Sequence, residues 1–161
     1  MSIRNFLIII AVLLAAASCA SSSSSGNGAA ETEETAITLK AKDAKLVTDG
    51  ALVYNSDANC VAWWEKVTDE VIWKMEVAEA GEYEVIAAVA CDPQFPGSTI
   101  GITVNGQTVS IKVPNTHGWS KYESLSAGKV SLDAGTCEVT VKALEVPGRF
   151  VANLRTVKFV K

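Results

Sequence analysis

The sequence predicts an all-β domain, a two-sheet antiparallel β-sandwich of the jelly-roll type, which follows a signal peptide and a flexible tether. Three observations predict this fold class. Apolar and polar residues alternate with a period of two along much of the chain after residue 36. Turn residues separate these segments at intervals of about 8–12 residues, as in sandwiches and barrels. No segment after residue 36 has the periodicity of a long amphipathic helix.

The first 18 residues have the pattern of a bacterial export signal. Arg4 supplies a positive start, and the apolar run 6–17 is shorter than the roughly 20 residues that span a membrane. Residues 14–19, Leu-Ala-Ala-Ala-Ser-Cys, resemble the lipobox of bacterial lipoproteins. The resemblance implies cleavage before Cys19 and acylation of its sulfur, so we expect the protein to be lipid-anchored in the cell envelope. An ordinary signal peptide with an incidental cysteine is the alternative.

Residues 19–36 are predicted to be the lipidated cysteine and a tether. The segment contains an unbroken serine run at 21–25 and then Gly-Asn-Gly and glutamates. Because it has almost no apolar surface to bury, we expect a flexible coil. Residues 37–161 remain for one domain, which is long enough to bury a core.

The alternation assigns the inward side of each strand. Asn105-Gly106 predicts a two-residue hairpin between the strand that precedes it and the strand that follows it. The similar Ala-Gly turns before two strands predict a positive φ at Gly81 and Gly135. The inward rows are Val71–Trp73–Met75–Val77, Tyr83–Val85–Ala87–Val89, Ile100–Ile102–Val104, Val109–Ile111–Val113, Val139–Val141–Ala143 and Val157–Phe159.

Charge and cysteine content limit the function classes. The net charge of −4 becomes −5 once Arg4 is removed with the signal peptide, which disfavours nucleic acid as a partner. An oxidising compartment permits disulfides, but three cysteines would remain besides Cys19, so at least one stays free. Cys60 and Cys91 lie near loop junctions and are the candidate pair, while Cys137 shares an inward face and is expected to be buried.

The sequence offers little for catalysis. The single histidine, His117, lies in the polar turn 114–118, where an exposed side chain is expected. There is no nucleophile elbow, phosphate-binding loop or cysteine spacing suited to zinc. Adjacent acids such as Asp69 and Glu70 do not indicate two carboxylates facing each other across a cleft. We therefore predict a domain that is not an enzyme.

The four tryptophans are more informative. Trp73 belongs to an inward row. Trp63 and Trp64 are adjacent, so in an extended segment they point to opposite sides and one can face outward. Trp119 follows Gly118 in a polar turn, where a large aromatic side chain is costly to expose without a function.

Short motifs occur in order over nearly the whole domain. Together, residues 39–161 resemble family 6 carbohydrate-binding modules and their relatives, which implies a galactose-binding-domain-like sandwich. The motifs are Asn-Cys-Val-Ala-Trp at 59–63 with the strand 69–77, Ala-Gly-Glu-Tyr-Glu-Val at 80–85, Thr-His-Gly-Trp at 116–119, Leu-Asp-Ala-Gly at 132–135 and Ala-Asn-Leu at 152–154.

The resemblance implies a sugar site in loops at one end of the sandwich. There Trp63 and Trp119 would grip a sugar ring and Asn153 would bond its hydroxyls, with Tyr54 as a further wall and Trp64 as the substitute for Trp63. Indole faces and amides suit the C–H faces and hydroxyls of sugars. We therefore expect non-catalytic binding of a polysaccharide or oligosaccharide, beside separate glycoside hydrolases. The alternative is a structural or adhesive envelope lipoprotein that binds protein.

The family commonly carries a structural calcium, but this sequence departs from its pattern. Ala41-Lys42 stands where a glutamate usually follows the alanine, and Arg155 stands where a carboxylate or amide is usual. Cations at ligand positions repel a divalent ion. We therefore expect no calcium and no other cofactor. Asp43 is the one carboxylate that could still act as a calcium ligand.

Overall fold

The computed structural model describes residues 36–161, so the predicted signal peptide, Cys19 and the tether up to residue 35 lie outside the described residues. Within residues 36–161 a short 3-10 turn, Ala41–Asp43, interrupts an otherwise all-β arrangement. No helix of this part has the length and apolarity needed to cross a membrane. The strands are β1 (Ala36–Lys40), β2 (Lys45–Val47), β3 (Val53–Asn55), β4 (Cys60–Ala62), β5 (Glu70–Val77), β6 (Gly81–Ala90), β7 (Thr99–Val104), β8 (Gln107–Lys112), β9 (Glu123–Leu132), β10 (Gly135–Glu145) and β11 (Asn153–Val160).

The strands form two antiparallel sheets, which confirms the predicted sandwich. One sheet has the order β3-β4-β11-β6-β9, with β1 also paired to β11. The other has the order β2-β5-β10-β7-β8. β4, β6 and β9 run antiparallel to their neighbours. One end of the sandwich therefore contains the ends of β4 and β6 and the starts of β9 and β11.

The core lies between the sheets and contains the predicted inward rows. Every member of those rows is buried except Val109, which is half-buried. The aromatic core residues also satisfy their polar atoms, as buried polar groups must. The indole N–H of Trp73 donates to the Lys40 carbonyl at 2.9 Å and joins the two sheets, and the Tyr83 hydroxyl donates to the Glu79 carbonyl at 2.6 Å.

The hairpin prediction is confirmed. Of the two predictions of a positive φ at a glycine, one is confirmed and one is wrong. Asn105 and Gly106 have φ of 48° and 75°, so both adopt the left-handed conformation that a two-residue hairpin between β7 and β8 requires. Gly135 has the predicted positive φ, at 124°. The prediction for Gly81 is wrong, because this residue simply opens β6. Its missing Cβ leaves room for the Lys161 side chain, whose Cε would lie 2.8 Å from that atom.

The predicted Cys60–Cys91 disulfide is wrong, since both cysteines are free and buried. Each thiol has its own surroundings. The Cys91 thiol donates to the Phe95 carbonyl at 3.3 Å, and the Cys60 thiol adjoins the Tyr122 phenol. Cys137 is half-buried against the core rather than fully buried.

Candidate functional site

Four aromatic side chains meet at the end of the sandwich where β4 ends and β11 begins. Phe150 is at their centre, with its ring centroid 5.9 Å from that of Trp63, 5.8 Å from that of Trp119 and 5.2 Å from that of Phe95. All three contacts are edge-to-face, and Phe95 also stacks on Trp119 at 6.1 Å. Such pairs are favourable because the positive edge of one ring meets the negative face of the other.

A turn of the backbone separates the two adjacent tryptophans after β4. Trp63 has a φ of 58°, a left-handed conformation that a bulky residue rarely adopts. Trp64 then enters the core at 1% exposure, where its indole N–H donates to the Lys66 carbonyl at 3.2 Å. Trp63 points outward with 56% of its surface exposed. Strained backbone of this kind is concentrated at binding sites, where the surrounding contacts hold it.

The loop that carries Trp119 is anchored by the buried Thr116. The N–H of Cys91 donates to the Thr116 hydroxyl at 2.8 Å, and this hydroxyl lies 3.1 Å from the Cys91 carbonyl, to which it donates. Positive φ values at His117 and Gly118 then turn the chain so that Trp119 is half-buried at the cleft. His117 itself is exposed, as predicted.

These loops enclose a cleft of about 450 Å³, within the usual size range of small-molecule sites. Apolar surface predominates, and none of the side chains around the cleft carries a formal charge. The lining residues are Asn55, Ala58, Ala62, Trp63, Trp64, Trp119, Ser120, Phe150, Ala152 and Asn153.

A few polar groups are directed to this apolar cleft. The Asn153 amide donates one N–H to the Trp119 carbonyl at 3.0 Å, which leaves its oxygen and its second N–H for a ligand. The Asn55 oxygen already accepts two backbone N–H groups of its own turn, so its NH₂ group remains. The Ser120 hydroxyl adds a donor and acceptor at the exposed side.

The structure brings three of the predicted site residues together and leaves the fourth outside. Trp63, Trp119 and Asn153 line the same cleft. Tyr54 is exposed but does not line it, and its hydroxyl donates to the Asn59 side chain at 2.9 Å. Neighbouring residues of a strand face opposite sides, so Asn55 occupies the place expected for Tyr54.

Sequence reasoning missed Phe150 and Phe95. Phe95 precedes the Pro-Gly pair at 96–97 in the mainly polar loop 91–98, whereas Phe150 follows the Pro-Gly pair at 147–148 in a loop that also contains Val146, Val151 and Ala152. The criterion that singled out Trp119, a large aromatic residue in a polar loop, applies to Phe95 and could have found it, but it does not mark Phe150.

Three solved structures show what this fold is similar to. A family 35 carbohydrate-binding module from Clostridium thermocellum superposes with a TM-score of 0.62 at 18% identity, over 78% of this chain and 97% of the module. The C-terminal family 6 module of LamC, a marine laminarinase from Zobellia galactanivorans, gives a TM-score of 0.63 at 17% identity, over 79% and 100%. The described domain has a carbohydrate-binding-module fold.

A third structure of this fold contains a ligand. It is a family 6 module of lichenase 5A from Cellvibrio mixtus in complex with cellotriose, with a TM-score of 0.56 at 20% identity, over 78% of this chain and 96% of the module. At the level of sequence, no family model and no curated protein matches this chain.

The residues at the calcium position that the sequence resemblance implies do not fit a divalent cation. Lys42 is exposed and pairs with Asp43 at 3.2 Å. The guanidinium of Arg155 covers the Tyr122 ring, 3.5 Å from its centroid. Within residues 36–161, no three His, Cys, Asp or Glu side chains converge as metal ligands. The absence of calcium from the protein stays a prediction.

Proposed function

We propose that the domain binds a neutral polysaccharide or oligosaccharide without catalysing a reaction on it. The observation that carries the proposal is the exposed indole of Trp63, held outward at a cleft by a left-handed backbone while Trp64 is buried beside it. Sugar rings have apolar C–H faces that pack on such a surface.

The cleft supplies enough surface for weak, specific binding. If each ring covers roughly 50 Å² of sugar, it contributes about 1 kcal/mol. Trp63, Trp119 and Phe150 then give about 3 kcal/mol, and the amide of Asn153 adds hydrogen bonds that fix the orientation. This predicts a Kd between micromolar and millimolar.

The uncharged lining favours a neutral sugar over a uronic acid. The charges of Arg149 and Glu65 beside the cleft pair with each other at 3.0 Å. The net charge of −4 for the whole chain would also repel a polyanion. The cellotriose complex of a module with this fold supports a neutral ligand.

We also propose that Cys19 is acylated and holds the domain in the bacterial cell envelope, where it works beside separate glycoside hydrolases. The tether of residues 20–35 would reach roughly 20–25 Å from the lipid surface. Labelling cells with a palmitate analogue tests the anchor. We expect label on the wild type and none on Cys19→Ala, and label on that variant would contradict the anchor.

A glycan array of the full chain in detergent tests the binding proposal. We expect neutral glycans to bind the wild type and Tyr54→Ala, a matched exposed aromatic outside the cleft, and to bind Trp63→Ala and Trp119→Ala at least fivefold more weakly. Thermal melting of each variant shows whether the fold is kept. The proposal fails if no glycan binds the wild type, or if a folded Trp63→Ala binds as well as the wild type does.

A further inference from the structure

Arg155 has an unusual position on β11. The pairing of β11 with β6 shifts register between Leu154 and Thr156, so Arg155 is the extra residue of a β-bulge. Bulges redirect a side chain out of the regular alternation. Its guanidinium carbon lies 3.5 Å from the centroid of the Tyr122 ring, and its Nη2 donates to the Ala58 carbonyl at 3.4 Å.

No carboxylate accounts for this charge. Among the ion pairs of residues 36–161, none includes Arg155, and its Nε is buried without a hydrogen-bond partner. A cation withdrawn from water needs compensation. The face of the Tyr122 ring and the Ala58 carbonyl supply it. Because burial raises the pKa of Tyr122 to about 12, that ring stays neutral.

The two partners of Arg155 belong to two different loops that contribute residues to the cleft. Ala58 lies in the turn that follows Asn55, and both residues line the cleft. Tyr122 lies in the loop that contributes Trp119 and Ser120 to the lining. One side chain therefore contacts both loops, just after Asn153 on the same strand.

We propose that Arg155 is a positioning residue that holds these two loops together, so that the cleft keeps its shape without a divalent cation. Its guanidinium stays attached to the fold, whereas a metal ion must be bound from solution. The proposal concerns the shape of the cleft and stands or falls independently of which ligand binds there.

Amide hydrogen exchange of the full chain in detergent, without ligand, tests this role. In Arg155→Met we expect the amides of Asp57 and Ala58, which donate to the Asn55 side chain, to exchange roughly tenfold faster. Amides of β5 and β10 should keep their wild-type rates. Lys158→Met, which removes an exposed cation from the same strand, is the matched control and should change neither region.

Variants of Tyr122 give a second approach that leaves Arg155 in place. Tyr122→Leu removes the ring face and should reproduce the local increase in exchange. Tyr122→Phe keeps the face and should retain the wild-type rates. Arg155→Lys keeps the charge without the planar group and should give an intermediate rate. Unchanged exchange in both Arg155→Met and Tyr122→Leu would overturn the proposal, as would an equal increase across β5 and β10.

Calcium provides the last arm of the test. We expect the wild-type exchange rates and melting temperature to be the same with calcium chloride and with EDTA. A melting temperature that rises with calcium together with slower exchange of the Asp57 amide in its presence would show that a metal holds the cleft and would contradict the proposal.

Discussion

The interior of the sandwich and the cleft at its end use aromatic side chains in different ways. Trp73 and Tyr83 lie on strands, are buried, and donate their polar hydrogens to backbone carbonyls. Trp63, Phe150 and Trp119 lie on loops and keep part of their surface in solvent, and both tryptophans contact Phe150 edge to face. Most of the interior follows from strand periodicity. The cleft requires left-handed backbone and contacts between loops that are distant in sequence.

The adjacent pair Trp63 and Trp64 gives the largest contrast. We expect Trp64→Ala to lower the free energy of unfolding by about 3–5 kcal/mol, because it empties a fully buried site. Trp63→Ala should change it by less than about 1 kcal/mol, because the side chain is mostly exposed. Urea denaturation of both variants measures the difference. Equal losses would mean that Trp63 is a core residue.

Phe150 should show an intermediate effect, because it is half-buried and touches three other rings. We expect Phe150→Ala to cost about 2 kcal/mol in unfolding free energy, roughly half of a full core truncation. The near-UV circular dichroism should also weaken as the rings of Trp63 and Trp119 lose a neighbour. An unchanged near-UV spectrum would show that the ring cluster does not depend on Phe150.

A substitution at Thr116 tests whether its hydroxyl anchors the loop that carries Trp119. Thr116→Val leaves the buried N–H of Cys91 without its partner at 2.8 Å, which should cost about 1–2 kcal/mol in unfolding free energy. Thr108→Val removes an exposed hydroxyl bond to Thr103 and is the matched control, with an expected change within about 0.5 kcal/mol. Thermal denaturation distinguishes the two. Equal stability of both variants would refute the anchoring role.

Tyr122→Phe should have the smallest effect at neutral pH, because its buried hydroxyl has no hydrogen-bond partner. At alkaline pH the variants should differ. Burial raises the folded pKa of Tyr122 to about 12 from the ordinary 10.0, so the unfolded chain loses this proton first. Wild-type stability should therefore fall as the pH rises from 10.0 through about 12, and Tyr122→Phe should lack that part of the fall. Identical pH profiles would contradict the assignment.

The sequence was sufficient for most of the sandwich because burial on one face forces alternation. The rows from Val71 to Phe159 and the Asn105-Gly106 hairpin follow from that constraint. The prediction of a positive φ at Gly81 was wrong because the glycine instead leaves space for the side chain of Lys161, which is distant in sequence. The disulfide prediction was also wrong because of contacts between distant residues. A position near a loop junction does not determine the direction in which a thiol points.

The cleft could be predicted only in part. Trp63, Trp119 and Asn153 were found through motifs. Phe95 required the criterion for loop aromatics to be applied throughout, and Phe150, next to Val151 and Ala152, carries no such signal. The role of Arg155 depends on a β-bulge that shifts the register of β11. Nothing in the alternation marks which residue of such a strand is the extra one, so its contacts with Tyr122 and Ala58 could not be foreseen.

The four indole N–H groups provide the most direct test of glycan binding at the cleft. In a two-dimensional nitrogen–proton NMR spectrum of the full chain, a glycan that binds should shift the indole signals of Trp63 and Trp119. Those of Trp64 and Trp73, whose N–H groups donate to the Lys66 and Lys40 carbonyls, should stay in place. If a glycan binds until the protein is saturated and neither the Trp63 nor the Trp119 indole signal shifts, the account is contradicted.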